Sequence, residues 1–461
     1  MLDWKKLLNT ERRRLTQKQL GDQRTEFERD YDRVIFSSSF RRLKDKTQVY
    51  PLNHDDFVRT RLSHSLEVSS FGRFFGIDIV RSLKENGIDD LYSKHDYIEA
   101  KISSIIATAC LLHDIGNPPF GHFGEKSIQT FFEKYFQKNK TSLNERQKLD
   151  FVNFEGNAQA LRVVTYLQAL DDDKGLNLTY GTLASMIKYP CRSNEIKKDK
   201  KKQHSKFGFF SSEENIFQEI QEQTGLNGER HPLVYLMEAA DDIAFSTVDV
   251  EDALKRRCVS NDIFIEYMTQ SLKNYPHFLQ KLEKIKVDQA KYYQQGWGDE
   301  GSYRIAIQKF RIDISGIMFR ACVKEFCSNY KDIMNCNYTE ALIENSDAKI
   351  LYKTLTGFAR KYVYIHPEII EVEILGEKVI HGLLELFVDA IQDDTRDDNK
   401  ILNGKLYNLI SPSLKNLMTI YGNVKDEYQR LQMATDFISG MTDSYALNLY
   451  QKLHGVKHGY F

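Results

Sequence analysis

The segment His113 to Glu125, HDIGNPPFGHFGE, gathers two histidines, two acids and three glycines directly after an apolar stretch. Neighbouring His113 and Asp114 point about 100° apart in mid-helix. At a last helical turn both can reach one cation, and the negative end of the helix dipole favours a cation there. A His-Asp pair alone is weak, because a single histidine among apolar residues is more often a satisfied core side chain. It needs partners. His64, flanked by Arg61 and Glu67, is one candidate, and Asp241 or Asp242 in MEAADDIAFS, where acids interrupt a run of Leu, Met and Ala, is another. Unpaired burial of such groups costs several kcal/mol, so one shared divalent cation accounts for all of them. His122 and Glu125 lie three apart, a spacing at which a carboxylate holds and charge-stabilises an imidazole. The glycine spacing of GNPPFGHF invites a phosphate-loop reading. That reading fails, since His122-Phe123 stand where Lys-Ser/Thr are needed and no strand precedes.

Four motifs in order, RTRLSHSLEV, HDIGNPPFGHFGE, NFEGNAQALR and EAADDIAFSTVDVED, resemble those of the deoxyguanosine triphosphate triphosphohydrolase family of HD-domain proteins. They span about Arg41 to Asp252. A weaker likeness at DFISGMTDSYA, 436 to 446, extends it, while 260 to 430 adds little.

The resemblance implies metal ligands His64, His113, Asp114 and Asp241. It selects Asp241 because the family pattern sets a ligand Asp, an aromatic four later and a sugar-binding Asp four beyond, which Asp241, Phe245 and Asp249 match. Asp242 then reads as a helix-surface residue or one behind the ligands. His122 with Glu125 resembles the family's acid/base pair, with His122 either protonating the leaving 5′ oxygen or handling the proton of the attacking water. Arg61, Lys188, Tyr189 and Lys206 match positions around the triphosphate, Asp249 the group that binds the 3′-hydroxyl, and Gln48 a residue close to the sugar. Phe245 departs from the pattern, which has Tyr there, so a hydroxyl donor is lost. Glu155 and Asn157 are expected to shape the site indirectly.

The implied reaction is metal-dependent hydrolysis of a deoxynucleoside triphosphate, dGTP first, to the deoxynucleoside and tripolyphosphate. Mn or Mg leads as the cofactor, with Fe, Co and Zn compatible with two imidazoles and two carboxylates. A homo-oligomer, commonly a hexamer, and a dNTP or single-stranded DNA effector are the further partners. Two alternatives stand beside this. One is an HD phosphodiesterase or nucleotidase on a cyclic or monophosphate nucleotide, which would not need Lys188 and Lys206. The other is a low-turnover nucleotide or single-strand sensor, which would not need His122 and Glu125.

These side chains must be positioned by helices. Only 8 prolines occur in 461 residues, and apolar spacing runs near 3.6. The fold class expected is all-α, an HD-domain helical core with additional C-terminal helices and at most minor β. Leu66, Phe74, Ile77, Val80 and Leu83 read as one face of a helix ended by Gly87. A second helix follows over 97 to 114, stopped by Gly116, Pro118 and Pro119. Ser211 with Glu214 has capping-box spacing, and Pro232 opens a helix running to about Arg257. Breaks are expected near Gly296 to Gly301, at Pro367 and through 393 to 399, with one short strand at Tyr362 to Ile365. The lysine-rich run from Glu195 to Lys206 reads as solvated loop, or else as a flap over phosphates. A catalytic core over 1–260 and a helical C-terminal region over 261–461 are expected, the latter for packing or oligomerisation and to complete the site.

Composition sets the remaining bounds. Lys+Arg 64 against Asp+Glu 65 gives net charge -1, so no global field draws the chain to nucleic acid or membrane. No apolar run is long enough to span a bilayer and the start lacks a secretory core, so a cytoplasmic protein is expected. Six cysteines without a CxxC pair suggest neither disulfides nor a thiolate zinc site.

Overall fold

Thr60 starts the helix that carries the first predicted ligand. Its Oγ1 accepts from Ser63 N–H and Ser63 Oγ accepts from Thr60 N–H, a reciprocal cap. Helix α1 (Arg61–Glu85) then runs to Gly87, whose left-handed φ of 74° ends it as expected. Its buried face differs from the one predicted. Leu66 and Phe74 are 45% and 53% exposed, and the inner stripe is His64, Ser65, Val68, Ser69, Gly72, Phe75, Gly76 and Ile79, with Val80 and Leu83 as predicted. The reason is close approach. A Cβ on Gly72 would lie 2.6 Å from Cys110 Sγ, and one on Gly76 only 2.5 Å from Ser103 Cα. Small residues mark the contact face there, and large apolar ones sit beside it.

The partner across that contact is α2 (Ile98–Leu112), buried nearly all round and therefore central. It ends on His113. The corner Asp114–Phe120 turns the chain into α3 (Gly121–Lys138) through two successive left-handed residues, Phe120 at φ 62° before the helix and Gly121 at φ 60° as its first residue. Helix α4 (Pro232–Lys255) opens with Pro232 in its first turn, and His231 Nδ1 accepts from Leu233 N–H. It lies against both α1 and α2, so Asp241 faces the two histidine-bearing elements.

The computed structural model describes the chain except residues 17–20, 51, 53–57, 90, 92–95, 169–171, 198–201 and 456–461. Part of the lysine-rich run, 198–201, thus lies outside the described residues. Among the described residues the chain is helical without a strand, and carries only isolated bridges, Arg12 with Thr179 and Thr47 with Thr60. The expected all-α class holds. The strand expected at Tyr362 to Ile365 is instead a π-helical turn, Ala359–Val363, continuing α5 (Lys349–Phe358). Ala359 and Val363 are buried at helical spacing, and that burial overrides the β preference of Tyr362, Val363, Tyr364 and Ile365. Nor does Ser211 form a capping box with Glu214. Its N–H is taken by the buried Asp150, and Glu214 is held by Arg192 and Arg146.

Beyond Pro367 come α6 (Pro367–Gln392), α7 (Glu427–Ser439) and α8 (Asp443–Leu453), with the expected breaks at Gly296, at Pro367 and after Gln392. Two apolar clusters form the interior. One joins α1, α2 and α4 to α5, and the other joins α3 to α6, α7 and α8. Ile115 belongs to the first and Phe120 to the second, so the HDIGNPPF corner lies on the seam between them. No helix of the described residues is long and apolar enough to cross a membrane.

Candidate metal centre and active site

His113 caps the last turn of α2, and its Nδ1 lies 2.6 Å from the Cys110 carbonyl. A carbonyl only accepts, so Nδ1 carries the proton and Nε2 presents a bare lone pair inward. That Nε2 is buried with no hydrogen-bond partner. Around it stand Asp114 Oδ2 at 3.4 Å and Asp241 Oδ1 at 3.6 Å. His64 Nε2 lies 3.2 Å from the same Asp241 oxygen, and the two imidazole centroids are 5.3 Å apart. One donor atom from each of His64, His113 and Asp114 falls within 4.8 Å of the others, so this buried group can hold a metal ion. An orphaned imidazole nitrogen facing carboxylates is costly without a cation and satisfied with one, so the residues fit a divalent metal.

The shell behind these atoms is ordered. Asn117 Nδ2 donates to Asp114 Oδ1 and Arg61 Nη1 to Asp114 Oδ2, each at 2.6 Å. Lys188 Nζ is 3.4 Å from Asp241 Oδ2. Burial pushes both carboxyls up, but Arg61 holds Asp114 below its ordinary value, and His113 with Lys188 holds Asp241 well below. Both are therefore carboxylates. Burial depresses His113, whereas at His64 the opposing burial is outweighed by the hydrogen bond to Asp241. Asp242, on the same turn, accepts from the Tyr352 hydroxyl at 3.1 Å instead.

Arg61 links this cluster to the start of α3. A Cβ on Gly121 would sit 2.5 Å from Arg61 Nη2, which explains a glycine there on space as well as on φ. One residue on, His122 Nδ1 lies 3.0 Å from Glu125 Oε2, as the spacing predicted. The His122 side chain is 77% exposed while Glu125 is buried, so the imidazole stands open to whatever enters. Glu125 raises the His122 pKa through that hydrogen bond. Glu125 Oε1 accepts from Gly156 N–H at 2.8 Å, which fixes the carboxylate. Lys206 Nζ pairs with Glu155 at 2.7 Å, and Asn157 donates to Glu155 in turn.

Two of the predicted sugar residues, Phe245 and Asp249, lie further along α4, whereas Gln48 precedes α1. Asp249 Oδ2 accepts from the Tyr364 hydroxyl at 2.6 Å, whereas Oδ1 is buried and unpartnered. Burial raises this carboxyl to about 6. Gln48 Oε1 is likewise buried without a partner, and Phe245 meets the Tyr352 ring edge-on at 6.2 Å between centroids. Tyr189 lies under the Arg230 guanidinium, 6.0 Å from its ring centroid.

Sequence reasoning missed several positioning groups. Arg230 forms a forked pair with Glu238 at 2.7 and 3.0 Å and donates to the Lys188 carbonyl at 2.6 Å, so it holds the strip bearing Lys188 and Tyr189. Glu238 sits three residues before Asp241, one turn back on the same face. That spacing was the available signal. Asn117 stands inside the quoted motif, whereas Tyr364 was masked by its strand-like neighbours.

Imidazoles and carboxylates brought to one buried point from separate helices, beside a His-Glu pair, define an HD-type centre. The HD domain family model matches residues 61–153, and the phosphohydrolase-associated domain model matches 345–452. A deoxyguanosinetriphosphate triphosphohydrolase-like protein of Listeria monocytogenes is 40% identical over 99% of this chain and 100% of its own length. One of Synechocystis is 35% identical over 99% and 100%, and the deoxyguanosinetriphosphate triphosphohydrolase of Yersinia pestis is 31% identical over 93% of each chain. The chain belongs to the deoxyguanosinetriphosphate triphosphohydrolase family.

Proposed function

We propose that this chain hydrolyses a deoxynucleoside triphosphate, dGTP first, to the deoxynucleoside and tripolyphosphate. The observation that carries the reading is the convergence of His64, His113 and Asp114 within 4.8 Å, together with an exposed imidazole, His122, held by the buried Glu125. Asp241 serves as the fourth ligand, since one of its oxygens lies between both imidazoles. The mixed nitrogen and oxygen donors suit Mn or Mg, ahead of Fe, Co or Zn. When bound, such a cation supplies positive charge to a phosphoryl oxygen and acidifies the attacking water.

The chain's own groups do the rest. Arg61 and Lys188 are now paired with Asp114 and Asp241, and Lys206 with Glu155; entering phosphates compete for these cations. Tyr189 lines the same strip. His122, whose pKa the hydrogen bond to Glu125 raises, gives its proton to the leaving 5′ oxygen. The free Oδ1 of Asp249 accepts the 3′-hydroxyl, with Gln48 and Phe245 against the sugar. Residues 1–260 act as the catalytic core. The region 261–461 completes the site, a role supported by Tyr364 on Asp249 and Tyr352 against Phe245 and Asp242.

An effector dNTP or single-stranded DNA is part of the reading. It is supported by a cavity of about 1000 Å³ whose described lining includes Arg24, Arg29, Arg33, Arg41, Arg42 and Lys46, beside the acids Asp32 and Asp436. A homo-oligomer, as large as a hexamer, is supported by Ile370 and Ile374, 41% and 55% exposed on successive turns of α6. Sedimentation is then expected to give a species heavier than the 53.8 kDa chain.

The deciding experiment incubates the protein with Mn(II) and each dNTP, with and without a second nucleotide or oligonucleotide, and separates the products. Tripolyphosphate is expected. Its absence from every reaction sinks the hydrolase reading in favour of a sensor. Lys188→Ala and Lys206→Ala are expected to raise KM for the triphosphate about 10- to 100-fold, since each removes a charge-assisted contact of roughly 1.5–3 kcal/mol. Lys206 is 41% exposed, and solvent screening places it at the lower end. Unchanged KM in both variants, with turnover of a monophosphate or cyclic nucleotide, points to the phosphodiesterase alternative instead.

A further inference from the structure

Phe120 holds a conformation that bulky L-residues avoid, at φ 62°, and the following Gly121 is left-handed too. For the non-glycine member this costs roughly 1–2 kcal/mol, so something must hold it. The double bend turns the chain from the His113–Asp114 corner into α3. It therefore fixes where His122, second residue of that helix, is aimed.

The groups that hold Phe120 come from the other end of the chain. Its N–H donates to Asp443 Oδ1 at 2.9 Å. Its ring lies on α6 at Gly376, where a Cβ would be 2.8 Å from the ring Cγ. Asp443, the first residue of α8, is 1% exposed. Its second oxygen accepts from Thr47 N–H at 2.9 Å and Thr47 Oγ1 at 2.7 Å. Thr47 thus pins Oδ2, and the rigid carboxylate plane aims Oδ1 at Phe120. Hydrogen bonds to a buried charged acceptor are the strong kind, which suits a strained residue. Lys46 makes a second tie over the same seam, donating to the Asn117 carbonyl and, at 2.9 Å, to the Ser439 carbonyl.

We propose that Asp443, with Gly376 under the Phe120 ring, is a positioning residue for His122, so that the C-terminal helices aim an acid–base group they do not themselves supply. The inference rests on the hydrolase reading of His122 given above. Asp443 acts only through Phe120, and substrate does not touch it.

The test compares Asp443→Asn, Thr47→Val and Gly376→Ala, each alone and combined with His122→Ala, in Mn(II) with dGTP. Asp443→Asn keeps the shape but replaces one acceptor oxygen by a donor that faces donors. It is expected to lower kcat about 10- to 100-fold, the scale of an ångström misplacement, with KM moving less than about threefold. Thr47→Val, which keeps the backbone tie, loses about fivefold or less, and Gly376→Ala falls between them. In the His122→Ala background each loss shrinks to less than about twofold, because both changes act on one group. Equal fractional losses in both backgrounds, or unchanged kcat in a folded Asp443→Asn protein, overturn the proposal. If Asp443→Asn does not fold, the other two variants carry the same comparison.

A readout free of turnover separates this from failure of the hydrolase reading. His122 is faced by Glu125, Arg61 and Lys206, and Glu125 raises its titration. In the variants the imidazole NMR titration is expected to fall back toward the ordinary histidine value as the Glu125 contact loosens. An unmoved titration contradicts the positioning role whether or not dGTP is hydrolysed.

Discussion

Replacing His113 by alanine abolishes measurable metal binding and lowers kcat by about three orders of magnitude or more, the several kcal/mol of transition-state charge stabilisation that a held cation supplies. The expectation follows from the orphaned Nε2, which faces both carboxylates and has no other partner. Asp114→Ala has the same outcome, since it also frees Arg61. A graded control comes from Asn117→Ala, which leaves every ligand in place but releases Asp114 Oδ1. Loss of such an orienting partner costs about 10- to 100-fold in metal affinity. The fold is expected to survive His113→Ala, because Asp241 keeps Lys188 and His64 as partners. Calorimetric titration with Mn(II) beside steady-state kinetics checks the series. Wild-type affinity in His113→Ala contradicts it.

The second large effect is kinetic without being structural. His122→Ala is expected to lower kcat about 10²- to 10⁴-fold, the range of a lost general acid. The side chain is 77% exposed, so its removal leaves no cavity, and Glu125 keeps the Gly156 N–H. Thermal stability should stay near wild type. A pH profile adds the sign. Glu125 raises the His122 pKa, and the acid form is the active one below that pKa. Glu125→Gln removes the charge that raises it, so the alkaline limb of kcat/KM moves to lower pH. A limb that stays in place, or moves up, rules out His122 as the acid.

What the sequence made legible follows from how each contact is encoded. His64, His113 and Asp114 could be found because polar groups break apolar helices, a pattern that demands a buried partner. The choice of Asp241 over Asp242 came from the register of the family pattern; in the structure Asp241 lies against the imidazoles and Asp242 against Tyr352. The inner face of α1 was not legible. Large apolar residues normally mark burial, yet here Gly72 and Gly76 set the interhelical distance and leave Phe74 outside. Tyr364 was read as strand because local β preference says nothing of Ala359 and Val363 packing at helical spacing. Asp443 lay within a recognised motif, but its reach across the fold to Phe120 and Thr47 is a tertiary fact that no spacing encodes.

The most direct test of the whole account is anomalous diffraction from crystals equilibrated with Mn(II). One peak per chain is predicted, in direct coordination by His64 Nε2, His113 Nε2, and an oxygen of Asp114 and of Asp241. A peak away from these four side chains, or none at saturating Mn(II), contradicts the shared-cation site and the hydrolysis built upon it.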